Sequence, residues 1–153
     1  MRLEGQFSVA APREQVYAFL TDPRKVGAHM PDVQQVTVED ADHFTITARV
    51  GISHIKGTMV MKMTMTDREP PICTTVVGKG SGLASVVDMV TSFMLDAPSE
   101  AETIVNWRGE LTISGKLVAF GPQGLLDRMA RKNVDTFIAA ITSGLNGRSL
   151  MNE

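Results

Sequence analysis

Between residues 33 and 114 the sequence alternates apolar and polar side chains in one run after another, and from Leu126 it changes to a single stretch with helical spacing. Period-two alternation sets one face of each run against a core and the other in water, as in antiparallel strands. Breaks at 39–42, 51–54, 67–71, 80–82 and 97–102 divide the region into six strands. In the second, Phe44, Ile46, Ala48 and Val50 oppose His43, Thr45, Thr47 and Arg49. In the last, Val105, Trp107, Gly109, Leu111 and Ile113 oppose Asn106, Arg108, Glu110 and Thr112. The closing stretch carries Leu126, Met129, Ala130, Val134, Phe137, Ile138, Ile141 and Leu145 on one stripe, with Asp127, Arg128, Arg131, Lys132 and Asp135 opposite. That stripe predicts a helix of about 20 to 25 residues, ending at Gly144 or Gly147. Gly121-Pro122 should kink its approach, leaving residues 115–120 as a separate turn or a bent first part.

Ahead of the six strands, residues 2–9 alternate as well, with Leu3, Gly5, Phe7 and Val9 on the inner face. Pro12, Glu14 and the spacing of Val16, Phe19 and Leu20 predict a short helix over 12–20; Asp22-Pro23 caps a second, stopped by Pro31. The order is strand, two short helices, six strands, long helix. An α+β domain with a seven-stranded antiparallel sheet follows, because the wide apolar stripe of the last helix has nowhere to go but across that sheet. A long sheet curls, and one helix in its concavity leaves space unfilled. A cavity between helix and sheet is therefore expected. Residues 1–147 form one domain, and 148–153 are expected to fray.

Composition narrows the function. Net charge is −2, with 15 Lys+Arg against 17 Asp+Glu, so no electrostatic case exists for nucleic acid. Cys73 is the only cysteine, which excludes an internal disulfide or a cysteine-rich metal site and suits a reducing cytoplasm. No apolar run approaches the ~18 residues of a membrane helix, so contact at the inner face of a membrane is peripheral at most.

The strongest local signal is TMVMKMTMT at 58–66, which places Met59, Met61, Met63 and Met65 on one face and Val60, Lys62 and Thr64 on the other. Two readings stand side by side: thioethers lining an apolar pocket that adapts to its ligand, or plain core filling. Cu(I) binding by the sulfurs is disfavoured, since copper sites add His or Cys. The glycines of VGKGSG at 77–82 alternate along a strand instead of opening a helix, which rejects a phosphate loop. They mark a bend, a bulge or close backbone approach, and would leave a pocket mouth open. His29, His43 and His54 lack metal spacing, no carboxylate pair is forced to share a proton, and no serine sits in a nucleophile elbow. Cys73 is expected to be buried and inert. Arg24, Lys25, Arg128, Arg131 and Lys132 form basic clusters on helix exteriors, solvated faces by default; as a binding patch they would suit an acidic protein or anionic headgroups.

LEGQFSVAAPREQVYAFLTDPRKV at 3–26, IKGTM at 55–59, the proline pair with VVGKGSG at 70–82, and ISGKLVAFGPQGLLDRMARKNVDTF at 113–137 resemble the CoxG family, which takes its name from carbon monoxide dehydrogenase. That family lies within the START-like, helix-grip (SRPBCC) superfamily of polyketide cyclases and lipid-transfer proteins. The resemblance implies a seven-stranded curved sheet gripping a long C-terminal helix, an internal apolar cavity, and association with molybdenum hydroxylases of the carbon monoxide dehydrogenase type as an accessory, without catalytic residues or a metal to carry over. It implies as pocket lining the inward positions Phe44 and Ile46, Met59, Met61 and Met63, Met89 and Phe93, Trp107, and on the last helix Met129 and Phe137.

The expected function is accordingly that of a non-catalytic protein that holds a hydrophobic small molecule, quinone- or lipid-like, and serves a redox enzyme as carrier or assembly factor. No tightly held cofactor is expected beyond that non-covalent ligand. Two rivals remain. A cyclase or hydrolase on the same fold needs a polar pair inside the cavity, where the inward positions offer only Trp107 and Thr91; an interaction scaffold needs a filled core.

Overall fold

Asp22 begins the part of the chain that is capped as its sequence demands: its carboxylate accepts from Arg24 N at 3.1 Å and Lys25 N at 3.4 Å, and Pro23 opens helix α2 (Pro23–Ala28). The preceding helix α1 (Arg13–Leu20) uses Pro12 as its N-cap residue, with the Pro12 carbonyl accepting from Gln15 N and Val16 N. Both follow strand β1 (Arg2–Val9) and precede six further strands. These are β2 (Val33–Val38), β3 (His43–Ile52), β4 (Ile55–Glu69), β5 (Cys73–Gly82), β6 (Ser85–Ser99) and β7 (Glu102–Gly115). A four-residue helix α3 (Lys116–Ala119) and the long helix α4 (Leu125–Met151) close the chain. The computed structural model describes residues 1–30, 32–52, 55–119 and 125–151. Pro31 as the expected stop, His54, the expected kink at Gly121-Pro122 and the side chain of Leu126 lie outside the described positions.

The seven strands form one antiparallel sheet in the order β1-β7-β6-β5-β4-β3-β2, so the N-terminal strand pairs with the last and both edges belong to the N-terminal third of the chain. This is the seven-stranded, curved, helix-grip α+β architecture that the alternation and the family resemblance imply. β3 and β6 run on to Ile52 and Ser99, inside the expected breaks at 51–54 and 97–102, and three further boundaries differ more. The turn assigned to the glycines at 80–82 is instead made by Leu83 and Ala84, whose φ angles of 53° and 55° suit a tight hairpin. β4 runs on through the expected break at 67 to Glu69, with Asp67 at φ 52° and a register shift between Thr66 and Glu69. α4 passes through Gly144 and Gly147 without ending, because Gly144 is a packing position: a Cβ there would lie 3.0 Å from Phe19 Cζ and from His29 Nε2.

Register explains the inner surface. Reading across the sheet, Phe44, Met63, Gly78, Met89 and Leu111 form one inward row; Ile46, Met61, Gly80, Val87 and Ile113 form the next. The β5 glycines sit directly beside methionines, and a Cβ on Gly80 or Gly78 would lie 2.0 Å from Met61 Sδ or 2.7 Å from Met63 Sδ. Long thioethers therefore fill the positions that β5 leaves bare. The main core gathers Val16, Phe19 and Leu20 of α1 with Met63, Met65, Leu95, Val105, Ile141 and Leu145. Thr103, fully buried, donates to Ala11 O at 2.8 Å and ties β7 to the turn before α1. A second apolar cluster, around Met59 and Val87, meets the main core at Met61 and takes in Leu111, Ile113 and Met129.

Candidate functional site

Between these clusters, under the N-terminal half of α4, the sheet is not filled. A cavity of about 300 Å³, partly open to solvent, is bounded below by β1, β7 and β6 and above by α4. Small side chains make the space. Thr91 and Gly109 are register partners, Leu3 is the next residue across, and the helix presents Ala130 and Val134 above them. A Cβ on Gly109 would meet nothing closer than Thr91 Oγ1 at 3.5 Å, so the floor at that point is open. Burial along α4 records the same geometry: Ile141 and Leu145 are 0% and 1% exposed, whereas Val134, Phe137 and Ile138, over the cavity, are only half-buried.

The pocket candidates divide accordingly. Met89, Phe93, Trp107 and Phe137 line the cavity, and the rings of Phe93 and Phe137 meet at 6.1 Å between centroids. Met59 and Met129 belong to the second cluster and Met61 packs against both; Phe44 and Met63 are buried in the main core, with Ile46 packed against it. The methionine face of β4 thus points inward, but beside the cavity and not around it. Leu3 and Phe7, Leu111, Val134 and Ile138, and Met30 just past the C-cap of α2 add to the wall. Leu3, Phe7 and Leu111 were readable from their strands' alternation. That they close one space follows only from the pairing of β1 with β7.

The chemistry of the cavity is sparse. Its side-chain polar groups are Thr91, Trp107, Asn133 and the exposed Glu110. Trp107 Nε1 is buried with no hydrogen-bond acceptor among the described residues. Among those residues no cluster of three His, Cys, Asp or Glu could hold a metal ion. Groups with shifted proton affinity sit elsewhere. At the β2–β3 turn the Asp40 carboxylate lies 2.9 Å from His43 Nδ1, holding the imidazole above its usual pKa and the carboxyl below its own; both are exposed. Burial pushes the Tyr17 phenol up; its hydroxyl donates to Cys73 O at 3.0 Å.

Cys73 is half-buried, less enclosed than the sequence suggests. Its Sγ lies 3.1 Å from Glu69 Oε2, and that carboxylate, before burial and the charge of Asp67, holds the thiol above its usual pKa. The cysteine is a poor nucleophile. Glu69→Gln should lower the thiol pKa and speed alkylation by iodoacetamide at pH 8; an unchanged rate would contradict the assignment.

The basic clusters at Arg24 and Lys25, and at Arg128, Arg131 and Lys132, are exposed on helix exteriors as expected. No described helix is long and apolar enough to cross a membrane.

Residues 5–146 match the family model of CoxG, a carbon monoxide dehydrogenase subunit. The chain belongs to the CoxG family. Solved structures place that family's chain in a wider fold. A conserved protein from Geobacillus kaustophilus is 20% identical, with 96% of each chain covered and a TM-score of 0.86. A START superfamily protein from Mycobacterium smegmatis is 9% identical over 95% of this chain and 97% of its own, with a TM-score of 0.72. The Zhui aromatase/cyclase from Streptomyces sp. R1128 is 14% identical over 97% and 95%, at 0.71. At these identities the likeness is one of fold. No curated protein matches the sequence. This CoxG-family chain thus shares its architecture with a protein named for cyclisation.

Proposed function

We propose that the protein is a non-catalytic binding protein that holds a hydrophobic small molecule, quinone- or lipid-like, between α4 and the β1-β7-β6 part of its sheet. The observation that carries the reading is the cavity itself, about 300 Å³ and walled almost entirely by apolar side chains. That volume is at the small end of ligand pockets, and burial of an apolar molecule there gains about 25 cal/mol per Å² removed from water. Family membership supports the further reading of an accessory to a carbon monoxide dehydrogenase-type molybdenum hydroxylase, working in the cytoplasm as carrier or assembly factor. The quinone suggestion comes from the redox chemistry of such a partner. The enzyme reading lacks a pair: among the described residues Thr91, Trp107 and Asn133 do not make a general acid and base, and the one carboxylate at the wall, Glu110, is exposed. The filled-core scaffold is disfavoured by the unfilled space.

Native mass spectrometry of the protein purified from its source tests this directly. The expected result is a co-purifying apolar mass that organic extraction releases. A ligand-free protein that also fails to bind a short-chain ubiquinone and a fatty acid would overturn it.

A further inference from the structure

The sheet has two edges, and they are not alike. β2 has six residues, a register shift between Val33 and Gln35, and α2 against it, where Gly27 packs on Val36. Short length, a bulge and a covering helix are common ways of blunting an edge. β1 has none of them: it runs from Arg2 to Val9 in unbroken register with β7 and contains no proline. The phase of its hydrogen bonds follows from one pair. Met1 and Leu111 exchange both backbone bonds, each at 2.8 Å, and in an antiparallel ladder such pairs recur at every second residue. Leu3, Gly5, Phe7 and Val9 therefore bond to β7. The amides and carbonyls of Arg2, Glu4, Gln6 and Ser8 point out of the edge with no backbone partner among the described residues, and all four residues are exposed. Beside that edge a groove of about 270 Å³ runs between β1 and α4, with Gly5 on the strand side and Arg131 and Asp135 on the helix side. Arg131 and Asp135 are exposed there without an ion-pair partner among the described residues.

We propose that this edge pairs with the β1 edge of a second copy of the chain, about a two-fold axis through Gly5, and joins the two sheets into one. Only this register maps the four free residues onto themselves: Arg2 lies opposite the partner's Ser8 and Glu4 opposite the partner's Gln6, each pair exchanging two backbone hydrogen bonds. No like charges face each other, whereas a slip of two residues sets Glu4 against the partner's Glu4. At the axis Gly5 meets the partner's Gly5 in a close pair, with backbones about 4.5 Å apart and no side chain to accommodate. Trp107 already fills the place of one, since a Cβ on Gly5 would lie 2.8 Å from its Cζ2. The helices agree with the strands. Arg131 and Asp135 share the groove with Gly5, so the same axis brings Arg131 opposite the partner's Asp135 and the reverse. With α4 roofing β1, β7 and β6, the two helices stand roughly three strand spacings apart, about 14 Å, a gap that an arginine and an aspartate span. A foreign strand would satisfy the same backbone groups without supplying this reciprocal pair of charges. The partner's strand also borders the groove, which shares Leu3, Trp107, Val134 and Ile138 with the cavity, and shuts the cavity on its β1 side.

Sedimentation equilibrium of the full chain, combined with amide hydrogen exchange, tests this. At about 100 μM the expected mass is twice that of one chain, falling to a single chain on dilution. The amides of Glu4 and Gln6 should exchange about tenfold more slowly in the dimer than in the diluted monomer. Gln6→Pro removes an edge N–H without touching the ladder to β7, so it should weaken association about tenfold or more and leave the circular dichroism of the fold unchanged. Arg131→Glu should weaken association about tenfold, and adding Asp135→Arg to it should restore the parent value, because the two reversed charges again meet as opposites across the axis. A monomer at about 100 μM would overturn the inference. So would a double reversal that associates no better than Arg131→Glu alone. Edge amides that exchange equally fast in dimer and monomer, or a dimer that survives Gln6→Pro unchanged, would overturn it as well and move the contact to another face, such as the exposed Val77 and Val90 on the outside of the sheet. Should Gln6→Pro fail to fold, the wild-type exchange rates and the charge reversals decide alone. None of these outcomes depends on what the cavity holds.

Discussion

Gly109→Leu should abolish ligand binding and leave the protein as stable as its parent or more so. The two effects have opposite signs for one reason. Gly109 is an interior position of β7, where a glycine costs roughly 0.5–1 kcal/mol relative to alanine because it gives up more freedom on folding and packs nothing. Its missing side chain faces the cavity with nothing nearer than 3.5 Å, so a leucine there meets open space and contributes burial of about 1.5–3 kcal/mol where a core position would have clashed. The same methyl groups occupy the floor between Leu3, Thr91 and Val134, where the body of the ligand has to lie. Thermal unfolding should therefore rise by about 2–4 °C for each kcal/mol gained, while titration with a short-chain ubiquinone shows at least a hundredfold weaker binding, on the order of 3 kcal/mol. A variant that binds normally would mean that the space under α4 is not the binding site. One that unfolds several degrees earlier would mean that the floor beside Gly109 has no room for the leucine.

Glycine also marks the limit of what the sequence could disclose. The alternation at 2–9 and 33–114, the helix starts at Pro12 and Asp22-Pro23 and the stripe on the last helix identify the seven strands and α1, α2 and α4, because each signal is local. The inward direction of Met59, Met61, Met63 and Met65 is legible for the same reason. The location of the empty space is not. It depends on which residues lie side by side on different strands, and nothing local to Gly78, Gly80 or Gly109 separates a glycine beside a methionine from one beside a void. The first two receive the sulfurs of Met63 and Met61, whereas Gly109 has only Thr91 and Leu3 beside it. Pairing of β1 with β7 joins residues about a hundred positions apart, such as Gly5 and Trp107, and that pairing brings the cavity to the β1 side of the sheet instead of under the methionines. Gly144 misleads in the other direction. It has the composition of a helix end, but its role is to let α4 approach Phe19 and His29, a tertiary contact that overrides the local stop signal.

The largest loss of stability is expected from Ile141→Ala, and its comparison with Phe137→Ala, one turn earlier on the same helix stripe, separates holding the fold from holding the ligand. Ile141 is 0% exposed within the main core, packed with the α1 side chains that α4 meets near Gly144. Truncating it leaves a void in a region that packing has already closed, at a cost of about 2–5 kcal/mol, a large share of the roughly 5–15 kcal/mol that a domain has. Phe137 is half-buried and borders space that is already empty, so its ring has packing partners on one side, chiefly Phe93. Its removal forfeits fewer contacts and should cost less than about 2 kcal/mol. Binding should follow the reverse order. Ile141→Ala lowers the melting temperature but should keep the wild-type affinity for the same ubiquinone probe while folded, and so should show the same stabilisation by saturating probe, which depends only on concentration relative to Kd. Phe137→Ala should stay near the wild-type melting temperature yet lose most of that probe-dependent increment. Equal losses of stability in the two variants, or a probe increment that shrinks in step with stability, would show that α4 is one uniform core helix, and would remove the division between its gripping C-terminal half and its roofing N-terminal half.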